Sequence, residues 1–355
     1  MKITDIKMTV IDLGKLETPF WNSIIKTTGR GRARIEVYTD EGIVGMAPGS
    51  GSKASMATVL GPIRDKLLGQ DPLRIGHLWQ EMYMGGTRKP VAKGDYIPCM
   101  GMVDNALWDL AGKALDQPVW KLLGGTQSRV QAYAAGGYYE EGKGLRELCA
   151  EMESYVAAGF RAVKMKVGWP SVTLEQDAER VRAVREAIGP EIGLMIDANN
   201  AWVAKTALRF ARLVEPYDPY WFEEPVHADD YRGGALLVSA LDMPIASGEN
   251  EYTRWGARDL IESQAADIIQ VDPTTCGGIS EWIKAAAMAS AYHLKMAPHG
   301  NPNIGSCCVA AVENGLITEN YPTAHKNLLM KPVDFRSRRS ASRVPRPSRV
   351  HRLRR

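Results

Sequence analysis

From about residue 126 to about residue 320 the chain repeats one pattern: a short apolar run ends in a polar or charged residue, a loop follows, then an amphipathic stretch. The runs are residues 130–135, 162–167, 193–196, 220–222, 244–246, 268–271, 294–297 and 315–317; helical periodicity fills segments between them, as over 173–188, 204–214 and 278–292. Continuous apolar strands alternating with helices predict a parallel sheet covered on its outside. Eight runs in succession favour a closed β/α barrel over an open doubly wound sheet. No GxGxxG follows the first strand, which argues against a dinucleotide site.

The first 125 residues are patterned differently. Residues 1–13 and 33–38 read as strands, with Asp40-Glu41-Gly42 as the turn into a third strand over 43–46. Residues 56–68, 75–84 and 99–114 read as helices, giving an α+β domain ahead of the barrel. The expected division is 1–125 for this domain, 126–320 for the barrel, a return segment over 321–335 and a tail over 336–355, with the first boundary at Leu123-Gly124-Gly125.

Composition adds limits. Hydrophobic residues at 45% and charged residues at 24% are ordinary for a globular protein. No apolar run approaches the roughly 20 residues that span a bilayer, and residues 1–15 alternate rather than forming a secretory signal. The five cysteines show no zinc-type CxxC pairs and read as reduced thiols in a cytoplasmic protein, so no membrane partner is expected. The net charge of +3 hides an asymmetry, because residues 336–355 carry nine Arg and no acid, leaving the remainder at −6. That Arg-, Ser- and Pro-rich tail cannot build a core. It reads as a frameshifted or truncated C-terminus rather than a functional basic arm, so no nucleic-acid partner is expected unless the tail is functional.

In a β/α barrel the C-terminal strand ends converge on one mouth. Here Lys164 and Lys166 end the second run, Asp197 the third and Glu223 the fourth; Glu249 follows the fifth, Asp272 closes the sixth, His299 follows the seventh and Glu319 the eighth. A lone Asp after a strand is more often a helix cap, and a lone His more often structural. Ionisable groups on seven consecutive strand ends are hard to explain that way. Asp197, Glu223 and Glu249 form an all-oxygen set on adjacent strands, which suits a hard cation, Mg²⁺ best. The period of two turns Lys164 and Lys166 to the same face, where two ammonium groups side by side and close to a divalent ion would depress each other's pKa and favour a neutral base. Asp272 would orient the His299 imidazole and fix its tautomer.

The order KxK, "MIDANN", "FEEP", "SGEN", "IQVDPTTCGG", "MAPHGNPN" and "GLITEN", together with "DNALWDLAGKALDQPVWKLLGG", resembles the mandelate racemase subgroup of the enolase superfamily, from the start of the chain to about Phe335. The resemblance implies an α/β fold: a modified TIM barrel, (β/α)7β, with an N-terminal α+β capping domain. It also implies Mg²⁺ on Asp197, Glu223 and Glu249, with Lys166 as base for one configuration of the α-carbon and His299, held by Asp272, for the other. Lys164 and Glu319 would contact the substrate carboxylate, and Asn199 the substrate or metal shell. A homo-oligomer acting on a small-molecule carboxylate is the implied assembly. Residues 18–28, with Trp21 as a substrate contact, and residues 47–52 fall where relatives place mobile covering loops. Glu224 is expected to turn away from the site, and His227 and His293 to be bystanders. Dehydration of an acid sugar to a 2-keto-3-deoxy acid is the favoured reaction; racemisation or epimerisation uses the same residues. An inactive binding barrel and a Schiff-base aldolase are the readings from other classes, the latter having no use for three metal carboxylates.

Overall fold

A computed structural model describes residues 1–49, 51–85 and 93–322. The N-terminal part opens with β1 (Ile3–Trp21), β2 (Lys26–Thr39) and β3 (Val44–Gly49), an antiparallel sheet. Helices α1 (Lys53–Thr58), α2 (Arg64–Leu67), α3 (Ile75–Gly85), α4 (Tyr96–Ala114) and α5 (Val119–Leu122) follow, with a π-helical turn over Val59–Ile63 between the first two. The apolar face of the sheet, Ile6, Met8, Ile35 and Val37, packs on Val103, Leu107 and Leu110 of α4 in one buried core. Each such side chain contributes roughly 1.5–3 kcal/mol on burial.

The second part consists of β4 (Ala132–Ala135), β5 (Tyr139–Glu140), α6 (Leu145–Ala157), β6 (Ala162–Lys166), α7 (Leu174–Ile188), β7 (Gly193–Asp197), α8 (Ala204–Val214), β8 (Trp221–Glu223), α9 (Tyr231–Ala240), β9 (Ile245–Ser247), α10 (Thr253–Glu262), β10 (Ile268–Ile269), α11 (Ile279–Ala291), β11 (Lys295–Met296), α12 (Pro302–Ala311) and β12 (Thr318–Asn320). Eight of these strands pair in parallel in the order β11-β10-β9-β8-β7-β6-β4-β12. A bridge from Met296 to Gly315, just ahead of β12, joins the two ends. The fold is therefore the expected α/β one, an enolase-type TIM barrel behind an antiparallel capping sheet. Alternate strand residues separate two cores: Tyr133, Met195, Trp221 and Ile268 fill the barrel interior, while Val163, Leu194, Ile196 and Phe222 face the outer helices. Among the described residues no helix is long and apolar enough to cross a membrane.

Two differences from the sequence reading matter for the site. The segment 18–28, expected as a covering loop, is the tip of a β-ribbon: β1 continues past Leu13 to Trp21 and returns as β2 from Lys26. Register shifts after Asp12 and Lys15 let the ribbon leave the sheet and reach the barrel, where Trp21 pairs with Tyr139 of β5. Alternation is weak there because both faces of a protruding ribbon are partly wet, so periodicity misses it. The eighth barrel strand begins at Thr318, after the apolar run 315–317, so that Glu319 lies within the strand rather than beyond it. Residues 323–355, which include most of the return segment and the whole Arg-rich tail, lie outside the described residues, as do residues 86–92 and Ser50 of the expected covering segment 47–52.

Candidate active site

Strand register builds the site. Lys166 of β6 lies beside Asp197 of β7, and Asp197 beside Glu223 of β8. Lys164, two residues back, points to the same interior face and is fully buried. Its Nζ pairs with Glu223 Oε1, lies 2.8 Å from Glu319 Oε1 and 3.6 Å from Asp197 Oδ2, and stands over the Tyr133 ring at 5.2 Å. Lys166 Nζ pairs with Asp197 Oδ2 and sits 5.3 Å from the Tyr138 ring. Asp197 Oδ1 accepts from the Asn199 backbone N–H at 2.8 Å. Glu223 Oε2 accepts from Trp221 Nε1 at 2.9 Å and Gln270 Nε2 at 2.7 Å.

The other flank is carried by the last strands. His299 Nδ1 lies 2.9 Å from Asp272 Oδ2, while its Nε2 faces Glu249 Oε2 at 3.4 Å, Glu319 Oε2 at 3.7 Å and the Tyr321 hydroxyl at 3.2 Å. Asp272 Oδ1 accepts from both the backbone N–H (2.6 Å) and the hydroxyl (2.7 Å) of Thr274. Glu319 Oε2 accepts from the Gly300 N–H at 2.9 Å.

Electrostatics follow from burying this many charges together. Burial opposes the charged form of both lysines, but the carboxylates beside them prevail: Lys164 is held well above the ordinary lysine range by Glu223 and Glu319, and Lys166 is raised by Asp197. Lys164 does lower Lys166, as expected, but in the side chains as they stand the carboxylates outweigh it. Burial also works against ionised Asp197 and Glu319, yet lysine contacts hold both below the usual carboxylate range. Burial and the Asp197 charge push Glu223 up to about 8, and burial raises Glu249. Burial disfavours charged His299, but Glu249, Glu319 and Asp272 outweigh it and raise the imidazole well above its ordinary value.

Among the described residues no group of three or more His, Cys, Asp or Glu side chains is gathered tightly enough to be a ready-made metal cluster. Asp197 and Glu223 are paired with Lys166 and Lys164, while Glu249 Oε2 faces His299 Nε2 at 3.4 Å. The donor set nevertheless fits a hard dication. Its ligands would all be oxygens from adjacent strands, and Glu249 Oε2 is a buried acceptor with no hydrogen-bond partner.

The ribbon tip closes over the same mouth. Asn22 Nδ2 donates to Asn199 Oδ1 at 2.9 Å and Ser23 Oγ to the Asn199 carbonyl at 2.7 Å, so Asn199 lies at the junction of lid and barrel. Phe20 packs on Tyr138 at 4.7 Å and Trp21 on Trp169 at 5.7 Å. Trp21 Nε1 is buried without a hydrogen-bond partner among the described residues. Glu224 points elsewhere, receiving Asn200 Nδ2 (2.9 Å) and Asn250 Nδ2 (2.6 Å), and His227 and His293 are exposed.

All the strand-end residues named from sequence therefore converge, with Trp21 and Asn199 at the rim. Sequence reasoning missed Tyr133, Tyr138, Gln270 and Tyr321. For two of them a signal existed: Gln270 precedes Asp272 by two residues and Tyr321 follows Glu319 by two, the spacing that keeps strand residues on one face.

Known proteins agree with this architecture. Residues 6–124 match the family described as mandelate racemase / muconate lactonizing enzyme, N-terminal domain, and residues 147–346 match the enolase C-terminal domain-like family, a span running past Phe335. The chain belongs to the enolase superfamily, in its mandelate racemase/muconate lactonizing enzyme subgroup. It is 38% identical over 287 residues to the arabinonate dehydratase of Saccharolobus solfataricus, covering 79% of this chain and 76% of that one. It is 32% identical over 301 residues to the D-galactarolactone cycloisomerase of Agrobacterium fabrum, covering 84% and 78%. A solved racemase from Streptomyces coelicolor A3(2) with bound magnesium superposes with a TM-score of 0.84 at 30% identity, covering 90% of this chain and 89% of that one.

Proposed function

We propose that the protein is a Mg²⁺-dependent acid-sugar dehydratase, which removes the proton α to a carboxylate and expels the β-hydroxyl to leave a 2-keto-3-deoxy acid. The observation that carries this reading is the placement of two candidate proton carriers, Lys166 and the Asp272–His299 pair, on strands that flank the three carboxylates. Similarity to an arabinonate dehydratase supports the substrate class.

Asp197, Glu223 and Glu249 would hold the ion, and Lys164 would pair with the substrate carboxylate. Glu319, held ionised by Lys164 and His299 as it stands, would donate a hydrogen bond to the enediolate once the incoming substrate carboxylate beside it has raised its pKa and it has taken up a proton. Mg²⁺, when bound, supplies positive charge beside that carboxylate, which stabilises the developing enediolate and depresses the pKa of the adjacent lysines. Lys166 Nζ takes the α-proton. The C–O bond to the β-hydroxyl then breaks, and His299, protonated on Nε2, gives that oxygen its proton so that water leaves. The resulting enol tautomerises to the ketone. His299 suits the acid role because its carboxylate neighbours favour the imidazolium. For the epimer whose α-proton faces it the roles reverse, and the neutral ring, its remaining proton on Nδ1 toward Asp272, takes the proton on Nε2. Asn199 and Trp21 close the rim over the substrate, which excludes water and strengthens each charge interaction inside.

The test is a panel of mono- and di-acid sugars incubated with the full chain and Mg²⁺, scored for keto acid and for α-deuterium incorporation from heavy water. Keto product on any member supports dehydration. Inversion with exchange and no keto product assigns a racemase instead, and neither signal on any member counts against an enzyme.

A further inference from the structure

The loop that carries Asp272 is gripped from the capping domain. Residues 272–278 run from the end of the sixth barrel strand to the start of α11, and Asn105 of α4 reaches them across the interface. Its Nδ2 donates to the carbonyl of Pro273 at 3.1 Å and its Oδ1 accepts from the N–H of Ile279 at 2.9 Å, so one buried amide ties both ends of the loop to α4. Pro273 is the residue between Asp272 and Thr274, whose N–H and hydroxyl hold the Asp272 carboxylate.

Around this amide the contact leaves no slack. Asp104 accepts from the backbone N–H and hydroxyl of Ser280 at 2.9 and 2.6 Å, Trp108 Nε1 donates to Ser280 Oγ at 3.0 Å, and Trp79 Nε1 donates to the Gly277 carbonyl at 2.8 Å. Gly277 and Gly278 both have φ near +105°, and a Cβ on Gly278 would stand 2.2 Å from Asp104 Oδ2. Of these groups, only Asn105 bonds the residue adjacent to Asp272.

We infer that Asn105 is a positioning residue for the site: by fixing the Pro273 carbonyl it sets the aim of the Asp272 carboxylate, and through it the tautomer and orientation of His299. The inference rests on the reading of His299 as a proton carrier. It makes the capping domain a determinant of one proton-transferring group and not only of the lid. Lys166 stands on β6, away from this junction, so loss of the Asn105 amide acts on His299 alone.

The experiment compares Asn105→Ala with Ser280→Ala, which loosens the same junction without touching Pro273. Full-length protein with ¹⁵N-labelled histidine reports the His299 ring nitrogens by NMR at fixed pH, assigned by loss of signal in His299→Asn. α-Proton exchange of both epimers of an acid sugar is then measured with Mg²⁺. Asn105→Ala is expected to shift the His299 Nδ1 resonance and to slow exchange of the His299-facing epimer about 10- to 100-fold, the scale of a catalytic group misplaced by an ångström. The other epimer stays near the wild-type rate, and Ser280→Ala leaves both rates and the resonance in place. An unmoved His299 resonance in folded Asn105→Ala, or equal slowing of both epimers in the two variants, overturns the inference. If His299→Asn itself leaves exchange of both epimers intact, the reading of His299 fails, which is a distinguishable result.

Discussion

Asp272→Asn exchanges one carboxylate oxygen for an amide nitrogen at almost constant volume, and the surrounding hydrogen bonds dictate its effect. Asp272 Oδ1 receives the Thr274 backbone N–H at 2.6 Å, a donor that cannot be reversed, so the asparagine must keep its oxygen there. Its NH₂ then occupies the Oδ2 position, 2.9 Å from His299 Nδ1. Two N–H donors cannot face each other, so Nδ1 must give up its proton and accept. The neutral ring carries its proton on Nε2, the nitrogen directed toward Glu249, Glu319 and Tyr321, and can no longer take one from substrate. The equivalent exchange in a serine-protease triad costs about 10⁴ in rate. Here a loss of about 10³–10⁴ is expected in exchange at the His299 face, or about 4–5.5 kcal/mol of barrier. Exchange at the Lys166 face should stay within about threefold of wild type, since Lys166 makes no contact with Asp272. The assay is ¹H NMR of α-deuteration for each epimer of an acid sugar in heavy water with Mg²⁺. A loss below tenfold, or equal losses at both faces, would refute the tautomer argument.

Other parts of the molecule carry further expectations. Adding Mg²⁺ at about 100 times its dissociation constant should stabilise the wild type by about 2.7 kcal/mol in thermal unfolding. Glu249→Gln should abolish that shift; a wild-type midpoint indifferent to millimolar Mg²⁺ contradicts the assigned donor set. Burial lifts Asp104 and Glu251 to about 7 from ordinary values of 3.8 and 4.5. The native state therefore keeps protons on these two groups that the unfolded chain loses, so their contribution to stability is fully present below about pH 4 and is lost as pH rises to about 7, by a few kcal/mol per group. Urea midpoints across that window should flatten in the double variant Asp104→Asn, Glu251→Gln; an unchanged slope would show that these groups do not govern it. Gly278→Ala combines a φ of +104° with a Cβ 2.2 Å from Asp104 Oδ2 and should cost at least about 1–3 kcal/mol. A wild-type unfolding midpoint in that variant would mean the two domains do not meet as described.

Much of this architecture is legible before any coordinates. The barrel strands are buried on both faces, so they read as unbroken apolar runs, and each polar residue that ends a run stands out against them. Lys164 and Lys166 are visible because two charges interrupt an otherwise apolar strand at the spacing that places both inside. The lid is harder to see. The ribbon pairs the end of β1 with the start of β2, and its Phe20 and Trp21 pair with Glu140 and Tyr139, more than a hundred positions away, while its exposed Ile24 and Ile25 follow no core periodicity. The lysine charge state is not local information either, because it depends on Glu223 and Glu319 arriving from strands far along the chain. Asn105 is the same kind of residue. Its neighbours in sequence mark it only as part of a helix, and its role exists only where α4 meets the 272–278 loop.

The central claim is Mg²⁺-dependent removal of an α-proton by groups at the barrel mouth, and solvent-deuterium exchange measures it most directly. The full chain, stripped with a chelator and then resupplied with Mg²⁺, should incorporate deuterium at the α-carbon of at least one acid sugar only when the metal is present. Lys166→Ala and His299→Asn should each remove exchange at one face, and the double variant should show none above the uncatalysed rate. A double variant that exchanges as fast as wild type, or a wild type whose exchange ignores the chelator, contradicts the account.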